Sequence, residues 1–227
     1  MDNPPVIAID GPSGSGKGTV AARVARQLGF ILLDSGALYR VLGIAVLKHG
    51  VDIANHRQVA DLARTLDIEF DRDTPGSVWL DGQDVSLEIR TDRASDMASR
   101  VGAIPAARDA LLERQLAFRK APGLVADGRD MGTVVFPAAE VKIFLTASLE
   151  ERAQRRYKQL FAKGIDAILP DLLRDLKERD ARDSQRAISP LKPAEDAVVL
   201  DTTDLDIEQV VMKVMDLVSA GLTSTNT

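Results

Sequence analysis

Cysteine is absent from this chain, which removes disulfides, thiolate chemistry and any lid clamped by cysteine-held zinc. Histidine is nearly absent too: His49 and His56 are the two copies, both in a helical region, and both read as surface residues rather than catalytic bases. No apolar run approaches the roughly 20 residues that cross a bilayer. Surplus positive charge is also missing, since 29 Lys and Arg face 34 Asp and Glu for a net charge of −5. That balance argues against a broad nucleic-acid footprint, so any polyanion must meet a local basic cluster. The opening residues Met1-Asp2-Asn3-Pro4-Pro5 lack the basic region of a leader, and there is no internal repeat or low-complexity tract. A cytoplasmic monomer with no membrane and no nucleic-acid polymer as partner is expected.

What is present suits one well-buried core with a smaller appended lobe: 45% of the 227 residues are hydrophobic and 28% charged. Apolar runs fit for buried parallel strands recur at Val6 to Ile9, Phe30 to Leu33, Leu124 to Ala126, Val141 to Leu145 and Ala197 to Leu200, with helix-like segments between them. The alternation predicts an α/β protein with a doubly wound parallel sheet of about five strands. Three runs end in an acid, Asp10, Asp34 and Asp127, and in such sheets ligands gather beyond the carboxyl ends of the strands. Each acid taken singly could equally cap the turn that follows it.

Residues 52–102 form an inserted lobe, mostly helical. Within it Ile68-Glu69-Phe70, Ser77-Val78-Trp79-Leu80 and Asp84-Val85 alternate with the turns Thr74-Pro75-Gly76 and Asp81-Gly82-Gln83 as a small antiparallel meander. The stretch from Leu149 to Asp183 is helical by pattern but broken near Gly164 to Pro170, which gives a short helical lid over about 154–187. The core then comprises 1–51, 103–153 and 188–222. A last helix from about Ile207 to Ala220 carries Val210, Val211, Val214 and Val218 at helical spacing and reads as packing.

Between the first strand and the first helix stands Gly11-Pro12-Ser13-Gly14-Ser15-Gly16-Lys17-Gly18-Thr19. Glycines at this spacing let successive N–H groups point inward, the helix start adds its positive end, and Lys17 brings a mobile cation. This is a P-loop for the phosphates of a nucleoside triphosphate. The common pattern has Ser or Thr directly after the lysine to reach magnesium, whereas here Gly18 stands there and the hydroxyl follows at Thr19. No residue is therefore assigned as a metal ligand, and Mg2+ is expected to be bound mainly through phosphates and water.

Charges also appear where a core stripe should continue. Leu169, Leu172, Leu173 and Leu176 run on at helical spacing into Arg179, Asp180, Asp183 and Ala187, and the helix before them turns Arg152 and Arg156 inward with Arg155 at the edge. Arginines facing a polar cleft suit bidentate contacts with phosphate, although a plain pair of Arg179 with Asp183 within the helix is the alternative for those two. Two further clusters follow strands directly: Leu33-Asp34-Ser35-Gly36-Ala37-Leu38-Tyr39-Arg40 and Ala126-Asp127-Gly128-Arg129-Asp130-Met131-Gly132-Thr133.

Together with Lys-Glu-Arg-Asp-Ala-Arg-Asp-Ser-Gln-Arg at 177–186, these segments match the bacterial cytidylate kinases in kind and order, and the chain resembles that family from the loop to the last helix. The resemblance implies transfer of the γ-phosphoryl group of ATP to CMP or dCMP in pyrimidine nucleotide metabolism. It implies that Gly11 to Thr19 hold the donor phosphates and that Ser35, Arg108 and Asp130 line the cytosine site. Ser99, Arg179 and Asp183 would meet the sugar, while Arg40, Arg129 and Arg186 grip the acceptor phosphate and Arg155 and Arg156 close over the transferring group. Kinases of other small acceptors, namely UMP, AMP, dTMP or shikimate, remain open at this point, as does a slow nucleotide-hydrolysing switch.

Overall fold

A computed structural model describes residues 3–70, 74, 76–162 and 164–224, so Met1, Asp2 and Pro75 of the segments above lie outside the described residues. Two compact units divide the chain, one of residues 1–34 with 116–227 and one of Ser35–Gln115.

The first unit is built on a five-stranded parallel sheet in the order β2-β6-β1-β7-β8. Its strands are β1 (Val6–Asp10), β2 (Ile31–Asp34), β6 (Leu124–Gly128), β7 (Val141–Thr146) and β8 (Val198–Asp201). Every residue of β1 and β6 is buried, as expected for parallel strands covered on both faces. The helices of this unit are α1 (Lys17–Leu28), α6 (Leu149–Phe161), α7 (Leu169–Ser184) and α8 (Ile207–Ser224). Val20, Val24, Ile7, Ile9, Ile143, Leu145, Val210 and Val214 share one core, so the last helix does pack, and it runs through Ser224 rather than ending near Ala220. The chain crosses from β1 past β6 to β2, then returns from β6 to β7 on the other side of β1. The carboxyl end of β1 is therefore the switch point of the sheet, where a ligand crevice is expected.

Ser35–Gln115 is wider than the inserted lobe read as 52–102. The reason is α2 (Ser35–Lys48), which buries ten of its 14 residues and forms the axis of the second unit's core instead of capping the first. Around it lie α3 (His56–Thr65), α4 (Asp92–Val101) and α5 (Pro105–Leu116), with the meander β3 (Ile68–Phe70), β4 (Val78–Leu80) and β5 (Gln83–Asp84) as a separate antiparallel sheet. Asn55 and Thr91 cap α3 and α4 by accepting from Gln58 N and Ala94 N. His49 and His56 are both exposed, and His49 bonds Asp81 at 3.1 Å.

Helices α2 and α4 approach closely because Gly43 has no side chain: a β-carbon there would stand 2.7 Å from Met97 Cβ. Gly43→Ala should therefore destabilise the protein although alanine is worth ~1 kcal/mol more than glycine inside a helix. Overpacking costs about 1–3 kcal/mol, and with backbone of α4 also in the way the net loss should be about 1 kcal/mol or more. A lower urea midpoint at unchanged slope is the expected result.

Candidate active site

The loop after β1 needs glycine for steric reasons at its first position. Gly11 has φ 153, and a β-carbon on it would lie 2.0 Å from the Leu145 carbonyl oxygen of the neighbouring strand. Gly16, at φ 88, caps α1 in a left-handed conformation that lets the helix begin at Lys17.

Basic side chains hold the carbonyls of this loop. Gly11 O accepts from Arg129 Nη1 at 2.9 Å, Pro12 O from Lys17 Nζ at 3.1 Å, and Ser13 O from Arg152 Nη1 at 3.0 Å. Ser15 O accepts from Arg155 Nη1 at 3.3 Å and from Thr202 Oγ1 at 3.4 Å. Across a trans peptide plane the N–H points opposite to the carbonyl. Fixing Ser13 O and Ser15 O towards α6 therefore turns the N–H groups of Gly14 and Gly16 the other way, as an anion-binding loop requires.

A second centre is Asp183 on α7, 1% exposed. Arg129 Nε donates to its Oδ2 at 3.0 Å, Arg186 Nη2 donates to its Oδ1, and Arg179 Nε lies 4.0 Å from Oδ2. Burial alone would raise this carboxyl, yet the Arg129, Arg186 and Arg179 guanidiniums and the Arg129 hydrogen bond hold it below the usual carboxylate range. The pair within α7 is thus the longest of the three contacts, and the residue that ties Asp183 most directly to the loop is Arg129. Arg179 also donates to Ser13 Oγ at 3.3 Å.

Asp10 closes β1 and is 5% exposed. Its two oxygens accept from Met131 N and Gly132 N, each at 2.8 Å, which pins the π-helical turn Met131–Val135 that follows Arg129 and Asp130. Burial pushes the Asp10 carboxyl up to about 7, against the pull of those two N–H groups and with a further push from Asp130 and Asp127. Asp130 itself is 2% exposed.

In the second unit, Ser35 (3% exposed) donates from Oγ to Gln115 Oε1 at 2.7 Å. Arg108 donates to Gly102 O at 3.2 Å and lies over the Tyr39 ring at 5.5 Å, while Ser99 is buried and Arg40 half-buried.

Of the expected site residues, the first unit gathers Gly11 to Thr19, Arg129, Asp183, Arg179 and Arg186 into one bonded group. Arg155, expected to close over the transferring group, is bonded here to protein atoms on several segments. Its guanidinium is held by Glu151 Oε1 at 2.8 Å, by Thr202 Oγ1 at 3.1 Å and O at 2.5 Å, and by Ser15 O, because the chain after β8 brings buried Thr202 against it. Residues that the sequence reading did not assign to the site are Arg152, Asp180 and Thr202. Arg152 had a signal, an arginine on the inward stripe of α6; Thr202 had only its place just beyond a strand end. Gly18 is more telling than a missing hydroxyl, since a β-carbon there would stand 3.1 Å from Asp127 Oδ2. Among the described residues no group of three or more His, Asp or Glu side chains is placed to hold a metal, and no helix is long and apolar enough to cross a membrane.

Comparison of the sequence with known families and proteins gives one direction. The family model described as cytidylate kinase matches residues 7–220. A cytidylate kinase of Pseudomonas aeruginosa strain UCBPP-PA14 is 60% identical over 210 residues, covering 91% of this chain and 92% of that protein. One from Bordetella bronchiseptica is 59% identical over 212 residues, covering 93% and 94%.

Lys17 gives a test of the loop that needs no turnover. Burial, then Arg129 and Arg179, lower its ammonium from the ordinary 10.5 to about 7, with Asp127 and Asp34 opposing in part. The unfolded chain keeps that proton up to about 10.5, so the penalty for burying the charge is complete below pH 7 and is relieved as pH rises from 7 towards 10.5. A triphosphate seated on the loop restores the proton. Binding of tripolyphosphate at pH 8 should then take up about one proton more in the unaltered protein than in Lys17→Met, and close to none more at pH 6. Calorimetry in buffers of different ionisation enthalpy reads this directly; equal uptake in the two proteins at pH 8 would count against the loop assignment.

Proposed function

The chain belongs to the cytidylate kinase family and transfers the γ-phosphoryl group of ATP to CMP or dCMP, giving ADP and CDP or dCDP; from that premise we propose how its residues divide the work. The observation that carries the proposal is the group of Arg129, Arg179 and Arg186 around buried Asp183, two of which, Arg129 and Arg179, also act on Lys17 of the loop: more positive charge than a lone triphosphate loop needs. A second anion accounts for the excess.

Gly11 to Thr19 hold the donor phosphates, and Lys17 follows the migrating group. Arg40, Arg129 and Arg186 grip the acceptor phosphate, and Arg156 closes over the group in flight. Arg155 is kept for holding the loop rather than the substrate, given its bonds to Ser15 and Thr202. Ser35, Arg108 and Asp130 read the cytosine base; Ser99, Arg179 and Asp183 meet the sugar. Mg2+ bound to the phosphates and water would neutralise charge between the β- and γ-phosphates. The loop fits that arrangement: Gly18 brings no hydroxyl, and Asp127 Oδ2 already stands 3.1 Å from where a side chain at 18 would begin. We expect the enzyme to work as a cytoplasmic monomer.

The chemistry asks little beyond position and charge. Phosphoryl transfer passes through a loose transition state whose charge is spread over oxygens, so fixed cations and N–H groups supply most of what is needed. An acceptor phosphate, with a second pKa of about 6, is already ionised at neutral pH. No base has to remove a proton from it, which agrees with both histidines being exposed.

Asp130 should set the choice of base. Cytosine offers an amino donor at C4 beside an unprotonated N3, and uracil offers a carbonyl beside an N3–H, so a carboxylate accepts from the first and repels the second. Asp130→Ala should reduce the CMP-over-UMP ratio of kcat/KM by about tenfold or more, at a cost of roughly 1–3 kcal/mol for one base edge. An unchanged ratio in the folded variant would move Asp130 from the base to the support of Arg129. Arg179→Ala should raise KM for CMP far more than KM for ATP and shift CMP and dCMP unequally, since a buried polar group left unpaired costs about 1–3 kcal/mol. Equal small losses with all three nucleotides would instead mark Arg179 as structural.

A further inference from the structure

Arg152 is the most deeply buried of the arginines bonded to the loop, and the reaction above gives it nothing to do. It is 5% exposed, and its donors are shared among three separate segments of the first unit. Nε donates to Ala147 O at 3.1 Å, at the end of β7; Nη1 donates to Ser13 O at 3.0 Å, in the loop. Nη1 and Nη2 together fork onto Asp180 of α7, at 3.1 Å to Oδ1 and 2.6 Å to Oδ2. The backbone beneath it is equally tight, because a β-carbon on Gly14 would lie 3.1 Å from Arg152 Cβ and 3.3 Å from its carbonyl oxygen.

The two ends of this bridge lie on the two halves of the chemistry. Ser13 O belongs to the peptide whose N–H is that of Gly14, so the orientation that Arg152 imposes on Ser13 is the orientation in which Gly14 presents its N–H to a phosphate. Asp180 stands between Arg179, which donates to Ser13 Oγ, and Asp183, which gathers Arg129 and Arg186. A planar fork on a carboxylate tolerates little displacement, so α7 cannot shift along the loop and keep both bonds.

We propose that Arg152 is a positioning residue that couples the donor loop to α7 through Asp180, so that filling the loop with triphosphate and setting the acceptor face of α7 are linked events. A phosphate on Gly14 N–H fixes the Ser13 peptide, the fixed peptide fixes Arg152, and the fork sets the azimuth of Asp180 and with it of Arg179 and Asp183. By reciprocity, CMP on α7 raises affinity at the loop by the same factor. The inference rests on α7 being part of the acceptor site.

The experiment is calorimetric titration of CMP into the full-length protein with and without a saturating, non-hydrolysable ATP analogue, for the unaltered chain, Asp180→Asn and Arg152→Lys. Asn keeps the shape and loses the charged fork; Lys keeps the charge and loses the geometry. In the unaltered protein the analogue should tighten CMP by about fivefold or more, the lower end of ordinary coupling. In both variants that factor should fall towards one, while the affinity of Asp180→Asn for CMP alone stays within about twofold. A purely structural role would weaken each ligand alone and keep the factor, and that result overturns the proposal, as does an unaltered protein whose CMP affinity ignores the analogue. Should Arg152→Lys fail to fold, Asp180→Asn decides the matter by the same factor. Failure of CMP to bind the unaltered protein at all would instead overturn the acceptor reading and the coupling with it.

Discussion

Positive charge collected for phosphates must be held together before any phosphate arrives. In the first unit one carboxylate does most of this: Asp183 keeps Arg129 and Arg186 in contact and Arg179 within ion-pair range, in a place where it is itself almost out of water. Lys17, Arg152 and Arg155 are distributed over the carbonyls of the loop, and Arg129 bonds both Asp183 and Gly11 O. Without those partners the like charges would spread apart, and the loop would lose the carbonyl restraints that turn its N–H groups inward. The arrangement is a preorganised field of the kind that stabilises a transferring phosphoryl group without having to reorganise when it forms.

The sheet makes that field possible at one spot. Asp10, Gly11 and Asp127 emerge from adjacent buried strands, and the register that sets Asp10 opposite Gly128 brings the two loops after β1 and β6 side by side. Asp10 then binds Met131 and Gly132 of the second loop, while Arg129 of that loop binds Gly11 of the first. Each loop is a support of the other. The second unit has α2 as the axis of its own core, with Ser35, Ser99 and Arg108 buried on its helices.

Much of this was legible from residue order. Five apolar runs gave the five strands to within a residue or two; β1 and β6, buried on both faces, leave a continuous signal that polar substitutions would interrupt, and the edge strand β8 is apolar although mostly exposed. The loop after β1 was legible because its glycines answer to the backbone: Gly11, Gly14 and Gly16 take positive φ, and Gly11 has no room for a β-carbon. The boundary of the second unit was not, since α2 is apolar on nearly all sides and reads as a core helix of either unit; only its contacts assign it. The protein partners of Arg155 were not legible for a related reason: an arginine near a helix edge has the same sequence signature whether it meets a ligand or a backbone carbonyl, and Thr202, which it bonds, lies 47 residues away. The comparisons with known proteins fix the family and leave the work of single residues to the geometry and to experiment.

The crowding of Lys17 also bears on how long the protein lasts. An ammonium whose proton is loosened by its surroundings marks a form of the chain that is less settled than it becomes once anions occupy the loop. Whatever binds the folded state alone adds to its stability in proportion to the logarithm of its concentration. By that linkage, an anion that seats beside Lys17 stabilises the folded chain, and the crowded charge makes resistance to unfolding depend on what occupies the loop.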